Sequence, residues 1–141
     1  MTGDGGAQRA RARLDAPLEA VTAVLLDPLA LPEWNEAFRS IAGPAVASVD
    51  TPYRISVRGG LTGRFSYTTI APDHLVTEWR VPGFHEVGTW RFERDGKQTV
   101  VVHEFTHAGP LAAMLRSAYA GIAAVRLERL CERVTPRIAR S

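Results

Sequence analysis

Glu86, His103 and Tyr67 bring a carboxylate, an imidazole and a phenol into a stretch otherwise built from Phe65, Trp79, Trp90, Val101 and Phe105. A carboxylate beside an imidazole can take and return a proton, and a phenol can hold a carbonyl or hydroxyl oxygen. Such groups are costly to bury alone. They persist inside a fold when they satisfy one another, when water fills a cavity beside them, or when a ligand meets them. Three readings stay open: His103 and Glu86 act as acid and base toward a bound molecule or bind its carbonyl or hydroxyl, they form a structural hydrogen-bonded pair, or Glu86, near a strand end, reaches solvent. Burial should raise the pKa of Glu86 unless His103 pairs with it as a cation.

The remaining reactive side chains offer less. His85 and His107 fall near strand ends and are expected to face solvent, and His74 sits in a turn. No His, Asp or Glu spacing resembles a metal site. The one cysteine, Cys131, excludes an internal disulfide and a cysteine-based zinc site, and reads as a buried structural thiol. No glycine-rich phosphate loop stands at a strand–helix junction. The run Arg58-Gly59-Gly60-Leu61-Thr62-Gly63 joins two strands and reads as a hairpin.

Alternating strands must position the candidate residues. Tyr53–Arg58, Arg64–Ile70, His74–Val81, Phe84–Arg94 and Lys97–His107 alternate apolar and polar residues, separated by Gly59-Gly60, Ala71-Pro72-Asp73, Pro82-Gly83 and Asp95-Gly96. With Asp95-Gly96 as a two-residue loop, Trp90 pairs with Val101, Gly88 with His103 and Glu86 with Phe105. A two-residue Pro82-Gly83 loop pairs Trp79 with Glu86 and Thr77 with Gly88, although Pro-Gly favours a type II turn that suits such hairpins poorly. A three-residue Ala71-Pro72-Asp73 loop pairs Tyr67 with Thr77 and Phe65 with Trp79. One face then gathers Phe65, Tyr67, Trp79, Glu86, Gly88, Trp90, Val101, His103 and Phe105, with Glu86 diagonal to His103 and Gly88 leaving room for the imidazole. The opposite face carries Arg64, Ser66, Glu78, Arg80, Arg91 and Glu93, which suits water.

From Pro110 to about Val134 the period changes to three and four, the mark of one long amphipathic helix whose Arg116, Arg126, Glu128 and Arg129 suit its solvent side. A sheet followed by a single helix must bury one against the other, and one helix covers a broad sheet only if the sheet curls. Such a curl leaves a hollow suited to a small molecule. Ala118, Gly121 and Ala124, with Tyr119 beside them, leave room either for a ligand or for close approach to a strand. Upstream, residues 8–14 read as a strand with Arg9, Arg11 and Arg13 outward. Asp15 and Pro17 open a helix that stops at Asp27-Pro28, Leu31–Trp34 forms a second short helix, Phe38–Ala42 a strand, and Val46–Val49 a short further piece. Residues 1–7 read as a flexible N-terminus, 8–135 as one domain and 136–141 as a tail.

With 141 residues, 45% hydrophobic and 23% charged, the composition is that of a globular domain. No apolar run is long enough for a membrane span, and the N-terminus lacks a signal-peptide core, so a cytoplasmic location is expected. The net charge of +2 and the scattered arginines do not make a nucleic-acid surface. A homodimer stays open.

Three segments carry a resemblance: R-A-R-L-D-A-P-L-E-A-V (Arg11–Val21), L-D-P-L-A-L-P-E-W (Leu26–Trp34) and G-P-L-A-A-M-L-R (Gly109–Arg116). In their order and spacing the chain resembles the START-related helix-grip superfamily, SRPBCC, and more closely its polyketide cyclase/dehydrase-like branch. The resemblance implies an α+β helix-grip fold: a curved, seven-stranded antiparallel sheet around a long C-terminal helix, with two short helices after the first strand. It implies a cavity at Trp34, Phe65, Tyr67, Trp90, Val101 and His103; Tyr53, Trp79, Phe105, Ala118, Tyr119 and Ile122 complete the expected lining. The expected function is binding of a small hydrophobic, oxygenated metabolite, as a cofactor-free cyclase or dehydratase with His103 as general acid/base, Glu86 as proton relay and Tyr67 on a substrate oxygen. The alternative is a non-catalytic carrier of a lipid-like ligand.

Overall fold

The computed structural model describes residues 4–135, with side chains from residue 7. The N-terminal three residues and the expected tail at 136–141 lie outside the described residues. The chain runs β1 (Asp4–Leu14), α1 (Leu18–Leu25), a 3-10 turn at Pro28–Ala30, α2 (Leu31–Trp34), β2 (Phe38–Ala42), β3 (Tyr53–Val57), β4 (Thr62–Ile70), β5 (His74–Val81), β6 (Phe84–Asp95), β7 (Gln98–Ala108), α3 (Pro110–Met114) and α4 (Ile122–Val134). The strands form one antiparallel sheet in the order β1-β7-β6-β5-β4-β3-β2. This is the seven-stranded helix-grip architecture. β1 reaches back to Asp4, into the segment expected to be flexible. Asp15 does not cap α1, because Pro17 holds the cap position without a side-chain bond. The Val46–Val49 piece reduces to a single bridge from Val49 to Tyr67.

The expected face holds: Phe65, Tyr67, Trp79, Glu86, Gly88, Trp90, Val101, His103 and Phe105 are all buried. Val81 pairs with Phe84 across Pro82-Gly83 as expected. The Gly83 carbonyl there accepts the Leu111 N–H at 2.9 Å, so α3 buttresses a turn that local preference alone disfavours. The β6–β7 hairpin differs. Asp95 pairs with Gln98, so Gly96-Lys97 forms the tip. Gly96 has φ 64, and glycine in the first central position is the signature of a type II′ turn. The strand is thereby displaced by two residues. Such a slip keeps every side chain on its face but changes its partners. Trp90 now faces His103, Gly88 faces Phe105 and Glu86 faces His107.

The expected single helix from Pro110 to Val134 is broken. α3 ends at Met114, the link Leu115–Gly121 runs in turns, and α4 begins after Gly121, whose φ is 78. A left-handed residue cannot sit inside a right-handed helix, so Gly121 makes the break, and an added Cβ there would meet nothing within 4 Å, so no strand packs closely on it. Gln8 of β1 bridges the break. Its Nε2 donates to the Tyr119 carbonyl, and its Oε1 accepts the Ala123 N–H at 3.2 Å. α4 lies across β1 and β7 and against α1 and α2, burying Ala123, Arg126, Leu127, Leu130 and Val134.

Candidate functional site

Arg126 belongs to that buried stripe rather than to the solvent face expected of it, being 1% exposed. Its Nη1 donates to Glu86 Oε2 and its Nη2 to Glu86 Oε1, both at 3.0 Å. The guanidinium also lies 4.6 Å from the Phe105 ring centre. His107 Nε2 donates to Glu86 Oε1 at 2.8 Å. His107 shares the inward parity of His103 and Phe105 and lies under the Tyr119 ring, edge-on at 4.7 Å, so it is buried, against the expectation that it faces solvent, and the slip sets it opposite Glu86. Desolvation pushes the Glu86 pKa up, but the Arg126 charge and the hydrogen bonds from His107 and Arg126 outweigh it and hold the carboxyl at about 2. The expected rise is therefore reversed, and by Arg126 rather than by His103.

His103 stacks on Trp90 with ring centres 3.6 Å apart. Its Nδ1 lies 3.1 Å from the Thr89 carbonyl, which fixes the proton on Nδ1 and leaves the Nε2 lone pair to accept from Arg126 Nη1 at 3.3 Å. Desolvation and the Arg126 charge lower its pKa to about 3, against smaller opposing effects from Glu86 and the Thr89 bond. His103 and Glu86 thus meet through Arg126, and no direct bond joins them. The Tyr67 hydroxyl donates to the Leu25 carbonyl at 2.7 Å, at the end of α1, and desolvation raises its pKa.

Between sheet and helices lies a hollow bounded by Trp34, Phe65, Tyr67, Trp79, Trp90 and Arg126, and floored by Glu86 and His103. It is far tighter than the sequence suggests: about 20 Å³ is free, room for one water. Ring-on-ring packing fills the rest, with Trp34 edge-on to Trp90 at 5.7 Å and Phe38 against Phe65 and Trp79. Three side-chain donors on this wall have no acceptor among the described residues: Trp34 Nε1, Trp79 Nε1 and Arg126 Nε. On the far side of Arg126 a groove of about 210 Å³ opens between Glu36, Arg58 and the link residues Leu115, Ala118 and Tyr119.

The expected lining therefore divides. Trp34, Phe65, Tyr67, Trp79 and Trp90 border the hollow with Glu86 and His103, whereas Ala118, Tyr119 and Ile122 border the outer groove. Tyr53, Val101 and Phe105 are buried but border neither. Tyr53 instead gives its hydroxyl proton to the Pro44 carbonyl at 2.6 Å. Arg126 and His107 escape the sequence reading although both carry a signal. Arg126 lies three residues after Ala123 and four before Leu130, on the buried stripe, and His107 continues the alternation of His103 and Phe105. Among the described residues no His, Cys, Asp and Glu side chains are grouped as metal ligands, and no helix is long and apolar enough to cross a membrane.

The family model described as polyketide cyclase/dehydrase and lipid transport matches residues 8–135. No curated protein matches the chain. Among solved structures, a hypothetical protein from Helicobacter pylori superposes with TM-score 0.75 at 12% identity, over 95% of this chain and 89% of that one. A START superfamily protein from Mycobacterium smegmatis gives 0.70 at 17% identity, over 92% and 99%. The Zhui aromatase/cyclase from a Streptomyces species gives 0.72 at 17% identity, over 94% and 95%. At these identities the likeness is one of fold.

Proposed function

Because the chain belongs to the polyketide cyclase/dehydrase and lipid transport family, we propose that it binds a small hydrophobic, oxygen-bearing molecule between the sheet and α4. One observation carries this reading: the indole N–H groups of Trp34 and Trp79 and the Nε–H of Arg126 are buried without acceptors around one hollow. Buried donors demand partners. All three are donors only, so they select acceptor oxygens, as in ketones, esters or ethers, set on an apolar frame that suits the surrounding rings. The closed hollow takes a single water, so a ligand enters by displacing the link Leu115–Gly121. That link has no continuous helical pairing, and its Leu115, Ala118 and Tyr119 line the outer groove, which shares Arg126 with the hollow.

Cyclase or dehydratase chemistry is a second reading, favoured by the spare Nε–H of Arg126. A guanidinium aimed at a ketone oxygen stabilises the enolate formed when the neighbouring carbon loses a proton. His103 would take that proton, Glu86 would relay it and Tyr67 would hold a further oxygen. Against this, a general base works best with a pKa near the operating pH. Glu86 at about 2 and His103 at about 3 are weak bases, and Tyr67 already gives its proton to Leu25. A carrier or sequestering protein needs these groups only as anchors, and that is the reading we favour.

The test compares 2-acetylnaphthalene with 2-ethylnaphthalene, which lacks the oxygen, by quenching of the tryptophan fluorescence from Trp34, Trp79 and Trp90. The ketone should bind on the order of tenfold more tightly, the worth of about one or two hydrogen bonds. Equal affinities, or no binding of either, would end the reading.

A further inference from the structure

Beside the hollow, sharing Trp34 and Phe38 with it, lies a surface groove of about 380 Å³ that also includes Arg39, Arg58 and Arg129. These arginines come from three separate elements: β2, the turn after β3, and α4. All three are exposed, and none makes an ion pair or side-chain hydrogen bond among the described residues. Two carboxylates share the groove. Glu33 is engaged by Arg133 at 2.7 Å, which leaves Glu36 to face three guanidiniums. Arg58 and Glu36 also border the groove outside Arg126, so both openings next to the hollow meet at one cationic rim.

We propose that the ligand is an anionic amphiphile, its oxygenated apolar body in the hollow and a carboxylate or phosphate head held at the rim by Arg39, Arg58 and Arg129. This rests on the binding reading above and adds the ligand's charge. Planar guanidiniums meet carboxylate and phosphate oxygens through paired N–H donors. The concave shape and the walls shared with the hollow suit a head group attached to a buried body. A flat acidic surface would find no counterpart for those walls.

The experiment measures tryptophan quenching by 2-naphthoate, 2-naphthyl phosphate and the neutral 2-acetylnaphthalene. It uses the wild type, the double variant Arg58→Gln/Arg129→Gln, and the control Arg91→Gln on the outer sheet face. At least one anionic probe should bind the wild type more tightly than the ketone and lose on the order of tenfold affinity in the double variant. The ketone should be unaffected, the control silent, and unchanged unfolding curves should establish that the variants fold. Which anion gains more tells a carboxylate head from a phosphate. Anion affinity that survives the double substitution overturns the head-group assignment, as does an equal loss for the ketone. Absence of ketone binding with arginine-dependent anion binding overturns only the hollow as the site, and absence of all binding overturns both.

Discussion

Glu86 and Arg126 meet through two parallel hydrogen bonds of 3.0 Å, one residue from the inner face of β6 and the other from the buried stripe of α4. Their side chains are 4% and 1% exposed. The pair ties helix to sheet where the aromatic packing ends and the outer groove begins. A buried pair of this kind is poor evidence for net stability, since desolvation offsets most of the attraction. Its stronger effect is on geometry. It holds Arg126 so that Nη1 reaches His103, and Nε–H is left for something else.

Breaking the pair from one side should be costly. Glu86→Gln leaves the guanidinium without its counter-charge and takes the charged acceptor from His107, and Arg126→Met strands the carboxylate. Each should lower stability by about 3–5 kcal/mol. The double variant Glu86→Gln/Arg126→Met should lie closer to the wild type than either single change, because it strands no charge. Urea unfolding of the four proteins gives the coupling directly. Single variants within about 1 kcal/mol of the wild type would show that water reaches the pair.

Stability should also rise with pH across the acid range, with His103 the main cause. Its folded pKa of about 3 lies below the ordinary 6.5. Between those values the unfolded chain binds a proton that the folded chain refuses, so each unit of acidification costs at most about 1.4 kcal/mol. Arg126 and Glu86 face the ring, and the Glu86 carboxyl, held at about 2, stays ionised throughout this window. Glu86, with a folded value of about 2 against 4.5, keeps its full contribution above the latter and loses it only as the pH falls toward the former. Thermal unfolding from pH 7 to pH 5 should therefore show a falling midpoint in the wild type and a flatter one in His103→Asn. Parallel curves would place the titration elsewhere.

The strand faces were legible in the sequence because side-chain parity is local. Turn residues and alternation suffice to place Phe65, Trp79, Glu86 and His103 on one surface. Partner identity was less legible. Asp95-Gly96 and Gly96-Lys97 both put a glycine at the hairpin tip, and the slip between them is two residues, invisible to alternation yet enough to exchange Phe105 for His107 opposite Glu86. The helix break was hidden for a related reason. Apolar steps of three and four persist on both sides of Gly121, and only the positive φ of that residue interrupts them. Arg126 reads as a solvent residue by its type, although its position places it between Ala123 and Leu130. A buried cation becomes plausible only once an acidic partner is known to face it, and Glu86 lies 40 residues away.

Trp79→Phe should separate packing from recognition. The indole Nε1 has no acceptor among the described residues, so its removal forfeits no hydrogen bond to them. The smaller ring packs less fully against Phe38 and Phe84, at a cost of about 1–2 kcal/mol. If this donor meets a ligand oxygen, the preference for 2-acetylnaphthalene over 2-ethylnaphthalene should narrow severalfold. A preference that persists in Trp79→Phe would assign the oxygen to Trp34 or Arg126.

Gln8 holds the link through which the proposed ligand would pass. Gly121 has no side chain to cap α4, and the amide of Gln8 does so from the neighbouring strand while also holding the Tyr119 carbonyl. Gln8→Ala removes both bonds and should cost about 1 kcal/mol, the usual worth of a helix cap. The loss should be local. Amide exchange at Ala123 should quicken while β6 and β7 stay protected, as measured by hydrogen exchange. Gln8→Glu splits the two bonds, because a carboxylate still accepts from Ala123 but cannot donate to Tyr119. If the link gates the hollow, both variants should speed association of 2-acetylnaphthalene in stopped-flow quenching, with Gln8→Ala the faster, and leave its equilibrium affinity within about threefold. Unchanged association rates alongside faster exchange would place the entrance at another part of the fold.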